Sequence, residues 1–239
     1  MAHISRKELK RDQIGEKLAS GADAVISHQR PLWIGGLAAL AVILAVVGWR
    51  FYSERQAVKA TAALEEAMHV WDARIRAVGE PEEPGEITYV DEKNKYDDAA
   101  KKFAEVASAY SRTKPGQVAR YYAGLSLLRL GRNDEAEKVL RELERSGADE
   151  YAALARFELA KHYARVGKND DAVRLFKQLV EKPTALVPKP VAMLALADHY
   201  SRTNREEAEK LYTKIKDEFP DSAVADEAEK RLDFLRART

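Results

Sequence analysis

Two hydrophobic patterns lie in different parts of the chain. The first is a run without charge: from Pro31 to Trp49 nineteen residues, PLWIGGLAALAVILAVVGW, stand between Arg30 and Arg50. At about 1.5 Å per residue a helix over this run reaches roughly 28 Å, close to the roughly 30 Å hydrocarbon core of a bilayer. Trp33 near one end and Trp49, Phe51 and Tyr52 near the other stand where amphipathic rings favour the headgroup level. The pattern predicts a single transmembrane signal-anchor helix over 31–52. A buried core helix is usually shorter and seldom framed by arginine and aromatics at both ends. A cleaved signal peptide has a shorter apolar core, followed by small residues rather than Trp-Arg-Phe-Tyr.

The second pattern recurs with a long period beyond residue 96. Ala99, Ala136, Ala172 and Ala208 follow one another at steps of 37, 36 and 36 residues. The same steps carry Phe103 to Leu140, Phe176 and Tyr212, and Val106 to Leu143, Leu179 and Ile215. Each unit places an alanine, a large apolar residue four positions later and another three beyond. That is one buried helix face, whose alanine admits a close neighbour. Eleven or twelve residues upstream stand Gly124, Ala160 and Ala197, each followed three residues later by Leu127, Tyr163 or Tyr200. These belong to a preceding helix. Gly131 and Gly167 are expected to stop the first helices, and Asn133, Asn169 and Asn204 to cap the second ones. Asp134, Glu135, Asp170, Asp171, Glu206 and Glu207 then fill first turns, where the helix dipole favours negative charge.

A helix-turn-helix unit of this length, with small residues at the crossing, resembles the tetratricopeptide repeat. Pro220 falls where that pattern has its terminal proline, while Arg120 and Arg156 replace its first-helix tryptophan. The expected fold is all-α, a single N-terminal transmembrane helix followed by a tetratricopeptide-like α-solenoid. Its repeat domain, 97–239, has a second helix of an incomplete first unit at 97–110, three helix pairs over 117–219 and a solvating helix at 222–236.

Between anchor and repeats, 53–96 reads as a helical stalk and an acidic linker. Residues 53–79 contain no proline, and Ala60, Leu64, Ala67, Met68 and Trp71 share one face of a helix expected to end at Gly79. That stripe suits docking onto the following domain, as its missing first helix, better than a dimer seam. Residues 80–98 bring Pro81, Pro84, Gly85 and eight acids against two lysines, a loop composition without the spacing of a calcium-binding loop.

Stacked repeats leave their first helices lining a concave groove. Spacing places Tyr121, Leu125 and Arg129, then Phe157, Lys161 and Arg165, then Leu194, Asp198 and Arg202 along it. Aromatic anchors with a row of arginines suit an extended or helical peptide carrying acids. Cations at helix C-termini are favourable whatever the ligand, so the arginines have a second explanation.

Charge and candidate chemistry exclude more than they add. Lys plus Arg number 40 against 39 for Asp plus Glu, interleaved along the helices, so no stripe for nucleic acid emerges. The absence of cysteine removes disulfides, thiol catalysis and a lipidated N-terminal cysteine. Histidines at 3, 28, 69, 162 and 199 form no metal pair, and no phosphate-cradling or nucleophile-elbow motif occurs. His162 and His199 hold equivalent repeat positions, which reads as repeat geometry. No catalytic residue, metal or cofactor is expected, and the reading is a binding protein rather than an enzyme.

Gly48-Trp49-Arg50-Phe51-Tyr52 closes the apolar run, an alanine-rich helix follows, and degenerate tetratricopeptide units complete the chain. In that order these features resemble the ancillary SecYEG translocon subunit family of bacterial inner-membrane proteins. The resemblance implies a cytoplasmic tail, a periplasmic repeat domain, and partners in the SecYEG translocon and a membrane-bound periplasmic chaperone of the prolyl-isomerase class. The basic tail Arg6-Lys7-Glu8-Leu9-Lys10-Arg11 and the acidic insertion after Gly79 depart from the family. A structural scaffold for envelope assembly or cell division is the alternative that the same architecture leaves open.

Topology follows from the tail. Arg11, Lys17 and Arg30 before the span balance Arg50, Arg55 and Lys59 after it, but Arg6, Lys7 and Lys10 add to the short N-terminal side. A short basic tail is retained inside, while a long domain is translocated largely regardless of charge. Residues 1–30 are therefore expected in the cytoplasm and the repeats in the periplasm. A reporter active only outside the cytoplasm is expected to work when fused after Thr239 and to fail when fused before His3; the opposite activities would overturn this topology.

Overall fold

The computed structural model describes residues 6–77, 79–81, 84–146 and 148–237, with side chains left aside for 6–36, 38, 146 and 149. The chain divides into two compact units, Met1–Arg55 and Gln56–Thr239. A long helix, α1 (Arg6–Asp72), supplies residues to both.

In the first unit, Leu37, Leu40, Val42, Ile43, Leu44, Val46, Val47 and Trp49 are each more than half exposed. At about 100° per residue these described positions point to every side of the helix. Among the described residues no helix is long and apolar enough to cross a membrane. The side chains of 31–36 and 38, which belong to the expected span, lie outside that description.

The second unit begins with the last turns of α1. Ala60 and Ala67 are fully buried there, and Ala67 and Val70 share a core with Ala99, Phe103 and Ala119, with Leu64, Met68 and Trp71 packed against it. The apolar stripe thus docks on the repeats as the first helix of the incomplete unit. The helix stops at Asp72, earlier than the expected Gly79. Beyond it β1 (Arg74–Ile75) pairs in parallel with β2 (Thr88–Tyr89), two short strands within an otherwise helical unit. Arg74 reaches Glu80 at 2.6 Å and Glu86 at 3.5 Å, and the Arg76 amide donates to the Tyr89 carbonyl at 2.9 Å. The backbone after Asp72 is extended and paired with β2, an outcome that local propensity does not encode. Asp91 then caps α2 (Glu92–Ala109), so the acidic loop is shorter than its composition suggests.

Three antiparallel pairs follow: α3 (Lys114–Arg129) with α4 (Asn133–Ser146), α5 (Asp149–Arg165) with α6 (Asn169–Glu181), and α7 (Lys189–Thr203) with α8 (Arg205–Glu218). Helix α9 (Ala223–Ala237) covers the last pair. Ala99, Ala136, Ala172 and Ala208 are all at 0% exposure, and their partners four and seven residues on are buried as the period predicts. At the first crossing a Cβ on Gly124 would come within 2.6 Å of the Leu140 side chain, so a larger residue there would push that leucine aside.

Gly131 and Gly167 take positive φ, 72° and 80°, and Arg132 and Lys168 donate back to the Leu127 and Tyr163 carbonyls at 2.9 Å. This is the left-handed stop with its six-residue return bond. Only one expected asparagine cap forms: Asn204 accepts from the Glu207 amide at 3.3 Å. Asn169 is already helical, and the capping place falls on Lys168, whose carbonyl accepts from Ala172. Asn133 likewise opens α4, with the Arg132 carbonyl accepting from Ala136. After a left-handed glycine the return bond fixes the next residue, and the helix starts one position earlier than composition indicates.

Ala172→Glu is expected to lower stability by several kcal/mol, because an unpaired carboxylate would be buried at a helix crossing. Ala104→Glu, on the exposed side of α2, is expected to change it by less than about 0.5 kcal/mol. Thermal denaturation of the detergent-solubilised chain, followed by helicity, compares the two; similar melting temperatures would show the register to be wrong.

Candidate functional site

Successive first helices lie against each other, α3 on α5, α5 on α7 and α7 on α9, whereas α4, α6 and α8 do not approach one another to the same degree. The first helices therefore form the inner side of the stack. Along it runs a concavity of about 1000 Å³. Leu125 and Leu128 of α3, Phe157 and Ala164 of α5, and Val191, Leu194 and Ala195 of α7 give it an apolar lining. Arg129, Glu158, Lys161, Arg165, Asp198 and Arg202 supply charge. Eight of the nine groove positions expected from spacing line this one surface. The ninth, Tyr121, does not; its half-buried hydroxyl donates to Glu158 at 3.4 Å. One residue every four along a helix keeps one face, which is why Leu125 and Arg129, or Phe157, Lys161 and Arg165, arrive together.

The charged members differ in what they are free to do. Lys161 pairs with Glu158 at 3.0 Å and lies over the Phe157 ring at 5.4 Å. Asp198 accepts from the Tyr212 hydroxyl at 2.8 Å and from Arg231 at 2.6 Å, joining α7 to α8 and α9. Burial pushes its carboxyl above the usual carboxylate range, against the pull of Tyr212 and Arg231. Asp198 thus acts first as a structural tie. Arg129, Arg165 and Arg202 are exposed, each in the last turn of its helix, and none has an ion pair or side-chain hydrogen bond among the described residues. Arg129 lies over the Tyr96 ring at 5.8 Å. Helix dipoles favour these cations where they are, yet leave the outward N–H donors of each guanidinium available.

Spacing did not single out the other lining residues, among them Trp71 and His199. Trp71, from the end of α1, enters the groove wall with ring contacts to Tyr96 at 5.3 Å and Tyr122 at 5.2 Å. Its place on the apolar stripe was visible in the sequence, but not the surface on which that stripe docks. His199 also lines the groove, at 2% exposure, with neither ring nitrogen hydrogen-bonded. Burial, reinforced by the Arg202 charge, holds its imidazole below the usual histidine value, so the ring is neutral near pH 7. His162 is buried too but does not line the concavity. Among the described residues no three His, Asp or Glu side chains gather as a metal site would require.

The tetratricopeptide repeat family model matches residues 88–153 and 157–223, the stretch from β2 and α2 to the opening of α9. No curated protein and no solved structure is significantly similar to the chain. The match concerns the repeats and carries no assignment to the translocon. It covers more than half of the 239 residues and coincides with the stacked pairs, buried alanines and left-handed glycine stops described above, so the chain belongs to the tetratricopeptide repeat family.

Proposed function

We propose that this protein is a membrane-anchored module of the bacterial cell envelope that holds acidic, partly apolar peptide segments in its concave groove. Tetratricopeptide repeats are protein-protein interaction modules and typically bind proteins or peptides. One observation supports the choice of ligand: Arg129, Arg165 and Arg202, exposed and without an ion pair at contact distance among the described residues, line one concavity beside its apolar side chains, with only Arg202 close enough to Asp198 to feel its charge. Such a surface receives aliphatic side chains on its lining and carboxylates at its edge. The anchor reading is supported by the charge-free run 31–49 and by the all-round exposure of its described apolar side chains, which a bilayer would cover. The exit motif Gly48–Tyr52 and the repeats behind it support service as an ancillary translocon subunit, with the repeats in the periplasm beside emerging secreted chains and their chaperone.

Replacing Arg129, Arg165 and Arg202 together by Glu is expected to weaken partner retention by tenfold or more, about 1.4 kcal/mol, and to make what remains less sensitive to salt. The loss of dipole interactions at three helix ends costs about 1 to 3 kcal/mol, which a domain of ordinary stability tolerates. A charge-matched control, Arg145, Lys177 and Lys182 to Glu, alters exposed cations that do not line the groove. Crosslinking to the translocon channel and co-purification in mild detergent, with helicity checked for each variant, compare the two. Equal retention by both variants would remove the groove as the binding surface.

A further inference from the structure

The imidazole of His199 borders the groove but is enclosed by the fold: it is 2% exposed, and both ring nitrogens are buried without a hydrogen-bond partner. A buried polar group without a partner costs stability, and native structures keep few of them. The repeat itself does not require a titratable group here. Ser126 holds the equivalent place in the first pair, at 0% exposure, and its hydroxyl donates to the Tyr122 carbonyl at 2.8 Å. His162 holds it in the second pair, at 4% exposure; burial dominates its ring, and around it Arg165 and Lys168 oppose Glu137 and Asp134 of α4. At His199 the charge that acts on the ring is Arg202, which repels a proton.

The ring also stands at a joint. Ala192 and Leu196 of α7 belong to one core with Phe176 and Leu179 of α6, whereas Met193 and Ala197 of α7 belong to another with Tyr212 of α8 and Leu232 of α9. His199 faces α6, with Phe176 at 6.5 Å between ring centres. Arg174 and Lys177 of α6 are exposed, Lys161 and Arg165 of α5 line the groove, and Asp198 is held by Tyr212 of α8 and Arg231 of α9. An imidazolium needs partners for two N–H donors, and this enclosure supplies none. We infer that His199 is an acid-released latch between the second and third helix pairs: a proton on its ring is accommodated only when the α6–α7 joint opens, and the groove then loses the wall that α7 supplies. Burial, then Arg202, holds the enclosed ring below the usual histidine range. Well above about pH 6.5 the ring is neutral whether the joint is closed or open, and the latch is intact. As the pH falls below that value the open form takes up a proton that the closed form refuses, so closure weakens by up to about tenfold per pH unit. Asp198, whose carboxyl burial raises, acts in the opposite sense. The latch is independent of the groove reading, whereas release of a bound segment rests on it.

The test follows backbone amide exchange of the full chain in mild detergent at about pH 7.5, 6.5 and 5.5, corrected for the intrinsic pH dependence of exchange. In the wild type, protection of α7, α8 and α9 is expected to fall by up to about tenfold between the two lower values while that of α3 and α4 holds. His199→Leu and His199→Gln, neither of which titrates at this position, are each expected to remove that fall. Comparing pH values within one variant cancels any general loss of stability. A fall of the same size in both variants overturns the latch, and so does one spread evenly over α3 and α4. Loss of the fall in His162→Leu, with both His199 variants like the wild type, overturns the assignment to His199. A rhodamine-labelled, amidated peptide of alternating leucine and glutamate then probes release. The wild type is expected to bind it several-fold more weakly at about pH 5.5 than at about pH 7.5, and the His199 variants to lose less. Equal weakening in all three overturns release through His199. Failure of the peptide to bind at either pH overturns the groove reading, while the exchange measurement still decides the latch.

Discussion

Everything in the repeat unit depends on how closely two helices approach where a small residue faces the neighbour. A fully buried alanine at 99, 136, 172 and 208 leaves no room for a longer side chain, and the large residues four and seven positions on fill the space either side of the contact. Helix pairs joined through such contacts repeat one geometry, because ridges settle into grooves only where the side chains permit. Fixing that geometry every 36 or 37 residues also fixes which helix faces inward. The groove is a consequence of the crossings and not a separate construction.

Polar ties then make the stack specific, one of them through Asp198 of the groove wall. The Tyr163 hydroxyl donates to Glu137 at 2.6 Å and accepts from Arg141 at 2.7 Å, linking α5 to α4. Tyr212, Asp198 and Arg231 do the same for α8, α7 and α9. A Tyr with a carboxylate and an arginine from one or two neighbouring helices gives each of the three a partner, which keeps such networks from costing stability. His199 is the contrast, since its nitrogens have no such partners.

The groove divides its charges between structure and binding. Lys161 and Asp198 were equal members of the expected binding row, but Glu158 holds one, and Tyr212 and Arg231 hold the other. What remains open is cationic at Arg129, Arg165 and Arg202, above a lining of leucine, valine, alanine and phenylalanine. In a chain whose total charge is nearly balanced, this local excess matters more than the sum, because fields at a concave surface are set by the nearest unpaired groups.

The sequence by itself determined the repeat period, the helix pairs, the buried alanines and the left-handed stops at Gly131 and Gly167. Those are properties of one helix face or one turn, so spacing alone encodes them. It also placed Leu125, Arg129, Phe157, Arg165, Leu194 and Arg202 on inward stripes, since equivalent positions in stacked repeats must face the same way. Tertiary structure decided what required two distant segments to meet. The end of α1 docks as a first helix and carries Trp71 into the groove wall, and beyond Asp72 the chain forms a short strand pair that Arg74 flanks with ion pairs to Glu80 and Glu86. Which charges are paired inside the fold, and that both His199 nitrogens are enclosed without a partner, depend on neighbours one or two helices away. Periodicity fixes the face on which a residue lies, but partners across a packed interface are chosen only when the helices come together.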